Sequence, residues 1–277
     1  AERLSGRPVG EAQRRDVEDG HVLYKLAAAD ADHFDIYLSH YAGSAEPTIR
    51  SLRYYAARLA REVAWIRRDT GAAAVDLVGH SMGGLVARCY VEADDFAPLL
   101  GQPGFDDYGT AYADDVRTLV TLATPHHGIE SAGFGSWLGP LIAELAPESP
   151  LLQALNAPTP GGSSLAPAVR YVSMAGQTCI GCGLLQDAQA CRERCVRDGI
   201  AWTGSDLVVA MESAYLAGAE NTACLGADHV AMHVNAIVAD AVVAALRGEP
   251  VPAVLFADAR LAPGAPTGEA SALEGQP

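Results

Sequence analysis

The sequence has little positive charge and no long apolar run. Its 277 residues include 19 Lys or Arg against 34 Asp or Glu, which gives a formal net charge of −15, and Lys25 is the single lysine. This acidity argues against nucleic acid and anionic membrane surfaces as partners, because both carry negative charge. It is compatible with a neutral or cationic substrate. Uninterrupted apolar runs stay below the roughly 18 residues that a transmembrane helix needs, so we expect no membrane-spanning segment.

Both ends of the chain are expected to lie outside the folded core. The first residues hold no apolar stretch of the signal-peptide kind, so such a peptide is either not used or already removed. Residues 1–20 are polar without a clear period, which predicts a mobile N-terminal segment. Residues 257–277 are mostly Ala, Gly, Pro, Ser and Glu, which predicts a disordered tail. The stretch 21–256 can bury one sizeable core, and we expect a single domain.

The most informative stretch is Gly-His-Ser-Met-Gly, which follows the short apolar run 75–78 and precedes a helix-compatible run. A strand, a sharp turn around a serine and a helix are typical of a nucleophile elbow. Such a turn holds its serine in a strained backbone with little space, so Gly79 and Gly83 are expected to keep side chains out of the way. Ser81 is then the nucleophile, and the Met82 backbone N–H points at the developing oxyanion.

The residues around this serine resemble a known enzyme family. Asp-Leu-Val-Gly-His-Ser-Met-Gly-Gly-Leu-Val-Ala-Arg at 76–88 is similar, nearly residue for residue, to the lipase and esterase branch of the α/β-hydrolase superfamily. Leu-Ala-Thr-Pro-His-His-Gly at 122–128 resembles the Thr-Pro-His-x-Gly loop that follows the next strand there. The resemblance covers roughly residues 33–246 and implies the α/β-hydrolase fold. It also implies a supporting role for His80.

Sequence periodicity predicts alternating strands and helices. Strands are expected at 34–41, 74–78, 116–123 and 169–175, and helices at 47–69, from 82 to about 93, and at the end of 227–246. This alternation indicates a mostly parallel central sheet with helices on both faces. The acidic stretch 94–115 predicts a surface loop. The stretch 129–160 contains an amphipathic run, which is either an ordinary packed helix or, as in similar enzymes, a cover over the active site.

The acid and the base of a catalytic triad can be assigned from the resemblance. A serine hydroxyl needs a base, and the base needs an orienting carboxylate. The family order is Ser, acid, His. Asp206 lies in Ser-Asp-Leu-Val-Val, which is similar to the family's Ser-Asp-Gly-Val-Val turn with Leu in place of Gly, whereas Asp187 and Asp198 are more simply solvated charges. His229 stands where a loop meets the last helix, the family's position for the base, and His233 is expected to pack or cap locally.

Two further histidine patterns have alternative interpretations. His229 and His233 have the spacing of a zinc-binding pair, but Val230 stands where the metalloprotease pattern requires Glu, so no metal site is expected there. His126 and His127 lie in the Thr-Pro loop. They have either a structural role or a place in the lining of an acyl pocket.

One part of the family pattern is missing from the sequence. The family's second oxyanion donor comes from a His-Gly or Gly-rich loop after an apolar strand, upstream of residues 34–41. Here Gly20 and His21 stand in the reverse order, and the residues before them are charged. Losing one oxyanion donor costs on the order of 10²–10³ in rate. A non-catalytic or impaired hydrolase-fold binding protein is therefore an alternative.

Four cysteines are clustered in a Cys-rich insert, residues 176–204: Cys179, Cys182, Cys191 and Cys195. Four thiolates can hold a structural zinc ion, or they can form two disulfides in a secreted enzyme. The spacing departs from the paired C-x₂-C of a zinc ribbon, so we favour disulfides and a secreted or periplasmic location. Zinc binding would instead favour the cytoplasm.

The sequence as a whole predicts a serine carboxylic-ester hydrolase that forms an acyl-enzyme and needs no cofactor. The resemblance implies a small-molecule or lipid ester with an apolar acyl group as the substrate. Acyltransferase and thioesterase chemistry would use the same triad, and the sequence does not separate them. It gives no indication of the oligomeric state.

Overall fold

The computed structural model describes residues 9–16, 22–28, 35–39, 50–101, 105–129, 140–157, 165–178 and 204–257. The strands of these residues form two sheets. The larger sheet is parallel, and its strands stand in chain order: β4 (Val75–His80), β5 (Val116–Leu122), β6 (Arg170–Gln177), β7 (Glu220–Leu225) and β8 (Val254–Phe256). The smaller sheet is antiparallel: β1 (Val9–Asp16), β2 (Val22–Ala28) and β3 (Ile36–Ser39).

Helices precede and connect the parallel strands, as the sequence predicts. They are α1 (Leu52–Thr70), α2 (Met82–Val91), α3 (Pro140–Leu145), α4 (Pro150–Asn156), α5 (Met211–Ala214), α6 (Ala231–Val234) and α7 (Ala236–Leu246). A 3₁₀ helix, Ala93–Leu99, follows α2. Strands β7 and β8 were not predicted, because β7 is half polar and β8 is too short for an alternating pattern to be recognised.

Local side-chain bonds explain the ends of the two longest helices. Ser51 Oγ accepts a hydrogen bond from the Arg53 N–H at 3.2 Å at the start of α1. Gly71, with φ 74°, ends α1 in the left-handed conformation that glycine adopts without strain. Asn235 Oδ1 accepts the N–H of Ile237 at 2.8 Å at the start of α7. These caps fix where the helices begin and end beside the sheet.

Helices cover both faces of the parallel sheet. Leu119 of β5 lies in one buried core with Leu59 of α1 and Leu85 of α2, whereas the next residue, Val120, lies in a second core with Val238 of α7. Successive side chains of a strand point to opposite faces, so the two cores lie on opposite sides of the sheet. The predicted α/β architecture is confirmed.

The N-terminal sheet corrects two expectations from the sequence. Residues 9–16, expected in a mobile segment, form β1, which pairs with β2; few apolar side chains mark this strand. Strand β3, which the alternation of strands and helices assigns to the parallel sheet, pairs antiparallel with β2 instead. Polar contacts join this sheet to α1: Ser39 Oγ donates to Glu62 at 2.6 Å, and Tyr37 OH donates to Asp69 at 2.5 Å.

Two other stretches pack more closely than the sequence predicts. The predicted surface loop 94–115 buries Phe96 and Phe105 in the core beside α1. In the stretch 129–160, residues 140–157 form α3 and α4, which bury leucines in the same core: Leu141, Leu145, Leu151, Leu152 and Leu155. This part is therefore a pair of packed helices, whereas residues 130–139 and 158–160 lie outside the described residues.

Parts of the predicted terminal segments and insert also lie outside the described residues, namely 1–8, 17–20, 179–203 and 258–277. Ala257, predicted as the first residue of the tail, is buried, and its N–H donates to Leu225 O at 2.8 Å. Across the described ranges, no helix combines the length and the apolar character needed to cross a membrane.

Candidate active site

The nucleophile turn joins β4 to α2 through Ser81. This residue has φ 53° and ψ −128°, a left-handed backbone that residues with a side chain rarely adopt. Its N–H donates to Leu122 O of β5 at 2.8 Å, and its carbonyl accepts the Gly84 N–H at 3.1 Å. The strained conformation is therefore held by the neighbouring strand and by the first turn of α2.

Glycines at 79 and 84 make room for this turn. A Cβ on Gly79 would lie 2.6 Å from Gly84 Cα, and a Cβ on Gly84 would lie 2.1 Å from Thr124 Oγ1, so neither position accepts a side chain without movement of its neighbours. A Cβ on Gly83 would meet nothing within 4 Å. This corrects the expectation for Gly83, which faces open space; Gly84 is the residue packed against the loop after β5.

The structure brings the three predicted triad residues together. His229 Nε2 lies 2.9 Å from Ser81 Oγ, and His229 Nδ1 lies 2.8 Å from Asp206 Oδ2. A carboxylate only accepts, so Nδ1 carries the proton and Nε2 is free to accept the serine hydroxyl. Asp206 is 1% exposed, which shields its interaction with the imidazole from water. The arrangement can remove a proton from Ser81 and return it later.

The acid turn is held by the carboxylate that it carries. Asp206 Oδ1 accepts the N–H groups of Val208 at 2.9 Å and Val209 at 2.6 Å, while Oδ2 remains for the base. The Asp206 carbonyl accepts the His229 N–H at 3.0 Å, which ties the backbone of the acid to that of the base. Leu207 takes up a left-handed φ of 81° in this turn, at the position where the similar family turn has Gly.

His80 contacts the backbone of the base. Its Nε2 lies 2.9 Å from His229 O, and a carbonyl only accepts, so Nε2 carries the proton and donates. Its ring centroid lies 4.9 Å from that of His229 and 4.6 Å from that of His233. Burial lowers the pKa of His80, and the other two imidazoles lower it further. The neutral His80 ring thus holds the backbone of the predicted base, His229, through this hydrogen bond.

His126 does not line an accessible pocket, which corrects one alternative from the sequence. The residue is fully buried, with Nδ1 3.4 Å from the guanidinium of Arg88 and Nε2 3.0 Å from Thr121 Oγ1. Burial holds the pKa of His126 well below its usual value, and the nearby Arg88 charge adds to this shift. Its neighbour His127 is exposed, so the acyl-pocket interpretation stays a prediction for His127 alone.

The predicted oxyanion donor lies at the N-terminus of α2. Met82 is the first residue of that helix, where backbone N–H groups have no acceptor within the helix. Among the described strands, β4 is the edge of the parallel sheet, with β5 as its partner. The described residues therefore show no further parallel strand beside β4 that could carry a second oxyanion donor.

The described residues give no metal site. They contain no group of three or more His, Cys, Asp or Glu side chains that could hold a metal ion. Cys89 and Cys224 are buried free thiols, and burial raises the pKa of Cys224 to about 12. The predicted cluster of Cys179, Cys182, Cys191 and Cys195 lies outside the described residues, so the choice between disulfides and zinc stays a prediction.

Sequence reasoning missed Gly84 and Thr124. Thr124 Oγ1 donates to Ser81 O at 2.9 Å and lies against the Cα of Gly84. The sequence marks both residues, because Gly84 belongs to the glycine doublet after Ser81 and Thr124 belongs to the Thr-Pro loop. Neither pattern shows that the two residues are in contact.

Comparison with known proteins gives a matching family model and similar solved structures. Residues 17–132 match the family model described as the alpha/beta hydrolase fold. Among solved structures, the chain is similar to the mature lipase BlEst2 of Bacillus licheniformis, with 19% identity, a TM-score of 0.44, and coverage of 65% of this chain and 68% of that one. It is also similar to the lin2722 gene product of Listeria innocua, with 16% identity, a TM-score of 0.45, and coverage of 82% and 83%. No curated protein matches the sequence.

The residues matched by the family model include part of the candidate active site. The matched residues include β4, the nucleophile turn, α2 and β5. Beyond them, the parallel sheet continues through β6, β7 and β8 and places Asp206 and then His229 against Ser81. This is the chain order of triad residues in α/β-hydrolases. The chain therefore has the α/β-hydrolase fold.

Proposed function

We propose that this protein is a serine hydrolase that cleaves carboxylic esters through an acyl-enzyme. The observation that carries the proposal is the continuous hydrogen-bonded line from Ser81 Oγ through His229 to Asp206, with distances of 2.9 and 2.8 Å. A serine hydroxyl is a weak nucleophile on its own, and a neutral imidazole at this distance is the group that activates it.

The reaction follows from these positions. Ser81 Oγ bonds to the ester carbonyl carbon while its proton moves to His229 Nε2, and the carbonyl oxygen becomes an oxyanion beside the Met82 N–H. Asp206 stabilises the resulting imidazolium. When the bond to the leaving oxygen breaks, His229 donates its proton to the departing alcohol. Water then attacks the acyl-enzyme with the same base and releases the acid. Apart from water, each step uses side-chain or backbone groups of the chain.

Apolar surface beside the base favours esters with apolar acyl groups. Val230, which directly follows His229, is 55% exposed, and Val234, the last residue of α6, is 69% exposed. Exposed valines next to a catalytic group offer contact area to an apolar substrate. Acyltransferase and thioesterase reactions start from the same acyl-enzyme, and the binding-protein alternative predicts that no acyl-enzyme forms.

A fluorophosphonate probe tests the proposal directly. Stoichiometric labelling of the wild type, abolished in Ser81→Ala, is the expected result, because the probe reacts with activated serines. Ser51→Ala is the matched control: it removes a serine hydroxyl that caps α1 and is not one of the three triad residues, so it should keep full labelling. A folded wild type that takes up no label would overturn the proposal in favour of a binding protein.

Ester profiling then tests the substrate class. With p-nitrophenyl esters, kcat/KM should rise from acetate to longer acyl chains. A preference for acetate would argue against an apolar acyl site. Product analysis with an added alcohol distinguishes hydrolysis from acyl transfer.

A further inference from the structure

We propose that Thr124 is a positioning residue that orients the oxyanion donor, the Met82 N–H, by holding the carbonyl of the same peptide group. The inference rests on the proposed function, because it adds a residue to the machinery of that reaction. It does not follow from the sequence motif, in which the threonine stands apart from the serine by a strand, a helix and a long loop.

The hydroxyl of Thr124 has one clear acceptor. Thr124 Oγ1 lies 2.9 Å from Ser81 O and 3.5 Å from Leu122 O. The hydroxyl has a single proton and both oxygens only accept, so the proton goes to the shorter contact. Thr124 is fully buried, and water therefore does not compete for this bond. The missing side chain of Gly84 is what lets the hydroxyl approach, since a Cβ there would overlap it.

Peptide geometry links this bond to the oxyanion donor. The carbonyl of Ser81 and the N–H of Met82 belong to one peptide group, and the described residues contain no cis peptide. In a planar trans peptide the C=O and N–H vectors point in opposite directions, so holding one direction fixes the other. A hydrogen bond to the carbonyl also polarises the amide and strengthens its N–H as a donor.

The backbone that carries Thr124 is fixed at the preceding residue, Ala123. Ala123, the preceding residue, is fully buried and has a left-handed φ of 49°. Its N–H donates to Met174 O of β6 at 2.9 Å, which fixes the start of the loop to the neighbouring strand. A strained backbone of this kind persists only where the surroundings determine it. The Thr124 hydroxyl is thus held in a fixed position. The Ser81 carbonyl accepts two hydrogen bonds, from the Thr124 hydroxyl at 2.9 Å and from the Gly84 N–H at 3.1 Å.

Selective isotope labelling can observe the donor itself. The chain has four methionines, so ¹⁵N-methionine labelling gives four backbone amide signals, and Met82→Leu identifies the one from Met82. Thr124→Val keeps the shape of the side chain but removes the hydroxyl, and it should shift the Met82 amide signal. Thr124→Ser keeps the hydroxyl and should return the signal towards its wild-type position. The amides of Met211 and Met232 serve as internal references.

A second threonine provides the matched control. Thr222 Oγ1 donates to Pro252 O at 2.9 Å and Thr222 is 1% exposed, so Thr222→Val removes an equally buried bond to a carbonyl at another strand. It should leave the Met82 signal unchanged. If Thr124→Val does not fold, Thr124→Ala takes its place with the same expectation. A Met82 signal that stays in place when the Thr124 hydroxyl is removed overturns the proposal.

Kinetics on p-nitrophenyl butyrate test the catalytic consequence. Thr124→Val should lower kcat by about tenfold, less than the 10²–10³ lost with an entire donor, and leave KM unchanged, because the oxyanion exists only in the transition state. Thr124→Ser should recover most of the loss. A shifted Met82 signal with unchanged kcat would overturn the positioning role. A wild type with no ester turnover would refute the proposed function, whereas the amide signal would still report whether Thr124 orients the Met82 N–H.

Discussion

The turns that carry Ser81 and Asp206 contain the same backbone strain at different places. Each has a left-handed residue other than glycine, Ser81 with φ 53° and Leu207 with φ 81°. In the nucleophile turn the strained residue is the proposed nucleophile itself, enclosed by Gly79 and Gly84. In the acid turn the strained residue is a neighbour of the proposed acid, and its side chain is only partly buried. In the proposed mechanism, strain at Ser81 orients the reacting hydroxyl, whereas strain at Leu207 only allows the backbone to turn.

The supports of the two turns differ accordingly. The backbone of Ser81 is held by Gly84 in the first turn of α2 and by Leu122 and Thr124 at and just after the end of β5, a stretch about 40 residues further along the chain. The acid turn is held by bonds from the Asp206 carboxylate to the next residues of the same turn. The nucleophile turn therefore depends on close packing between elements, and the acid turn depends on local hydrogen bonds.

The largest effect is expected from Asp206→Asn, which separates the structure of the acid turn from its chemistry. The asparagine oxygen still accepts the N–H groups of Val208 and Val209, so the turn should persist. Its amide group donates where the carboxylate accepted, which forces His229 into the wrong tautomer. We expect kcat/KM for ester hydrolysis to fall on the order of 10⁴-fold, with little change in Tm.

A nearby carboxylate with a different task is the control for this substitution. Asp228 Oδ1 accepts the Ala231 N–H at 2.7 Å at the start of α6, a capping role that asparagine also fills. Asp228→Asn should therefore keep its activity. Full turnover by a folded Asp206→Asn variant would show that another residue is the acid.

Adjacent glycines test the packing of the nucleophile turn. Gly84→Ala places a Cβ against Thr124, and overpacking of this kind costs roughly 1–3 kcal/mol in the free energy of unfolding. Fluorophosphonate labelling of Ser81 should slow as well, because Thr124 and the Ser81 carbonyl move together. Gly83→Ala faces open space within a helix and should leave stability unchanged or raise it by up to about 1 kcal/mol. Urea denaturation measures both; equal losses would contradict the distinction between the two glycines.

These two turns also show what the sequence could and could not predict. Ser81 was predictable because a short apolar run, a G-x-S-x-G pattern and a helix-compatible run lie next to each other. Asp206 and His229 came from resemblance to family turns, since nothing local marks one carboxylate as the acid. The contact of Thr124 with Gly84 depends on the pairing of β4 with β5, which no local pattern specifies. Strand β1 was missed because its polar side chains do not alternate with apolar ones.

The Thr-Pro loop after β5, which contacts the nucleophile turn through Thr124, should make the stability of the protein sensitive to acid. His126 lies two residues after Thr124, and burial keeps its pKa well below the usual value, so the folded protein holds it neutral. The unfolded chain binds a proton at this residue near pH 6.5. The unfolded state thus binds more protons, and the free energy of unfolding should fall as the pH drops below that value, by up to about 1.4 kcal/mol per pH unit.

His126→Gln checks this prediction through the slope of the free energy of unfolding against pH, which does not depend on how stable the variant is at a single pH. Chemical denaturation between pH 7 and pH 5 should give a shallower dependence on pH than in the wild type. Part of the dependence should remain, because burial also lowers the pKa of His80. Identical slopes for the variant and the wild type would show that His126 becomes protonated in the folded protein.

The smallest effect should come from relieving the strain in the acid turn. Leu207→Gly and Leu207→Ala both remove the side chain, but only glycine adopts a φ of 81° without strain. Left-handed strain costs roughly 1–2 kcal/mol and the freedom of glycine in the unfolded chain offsets part of it, so the glycine variant should be the more stable by about 0.5–1 kcal/mol. Urea denaturation of the pair measures this difference, and equal stabilities would mean that the turn relaxes to another backbone once the leucine is gone. Ester turnover should be the same in both, because the Asp206 carboxylate rather than Leu207 fixes the acid. No such relief is open to the nucleophile turn, where the proposed mechanism requires the strained residue to supply the reacting oxygen as well.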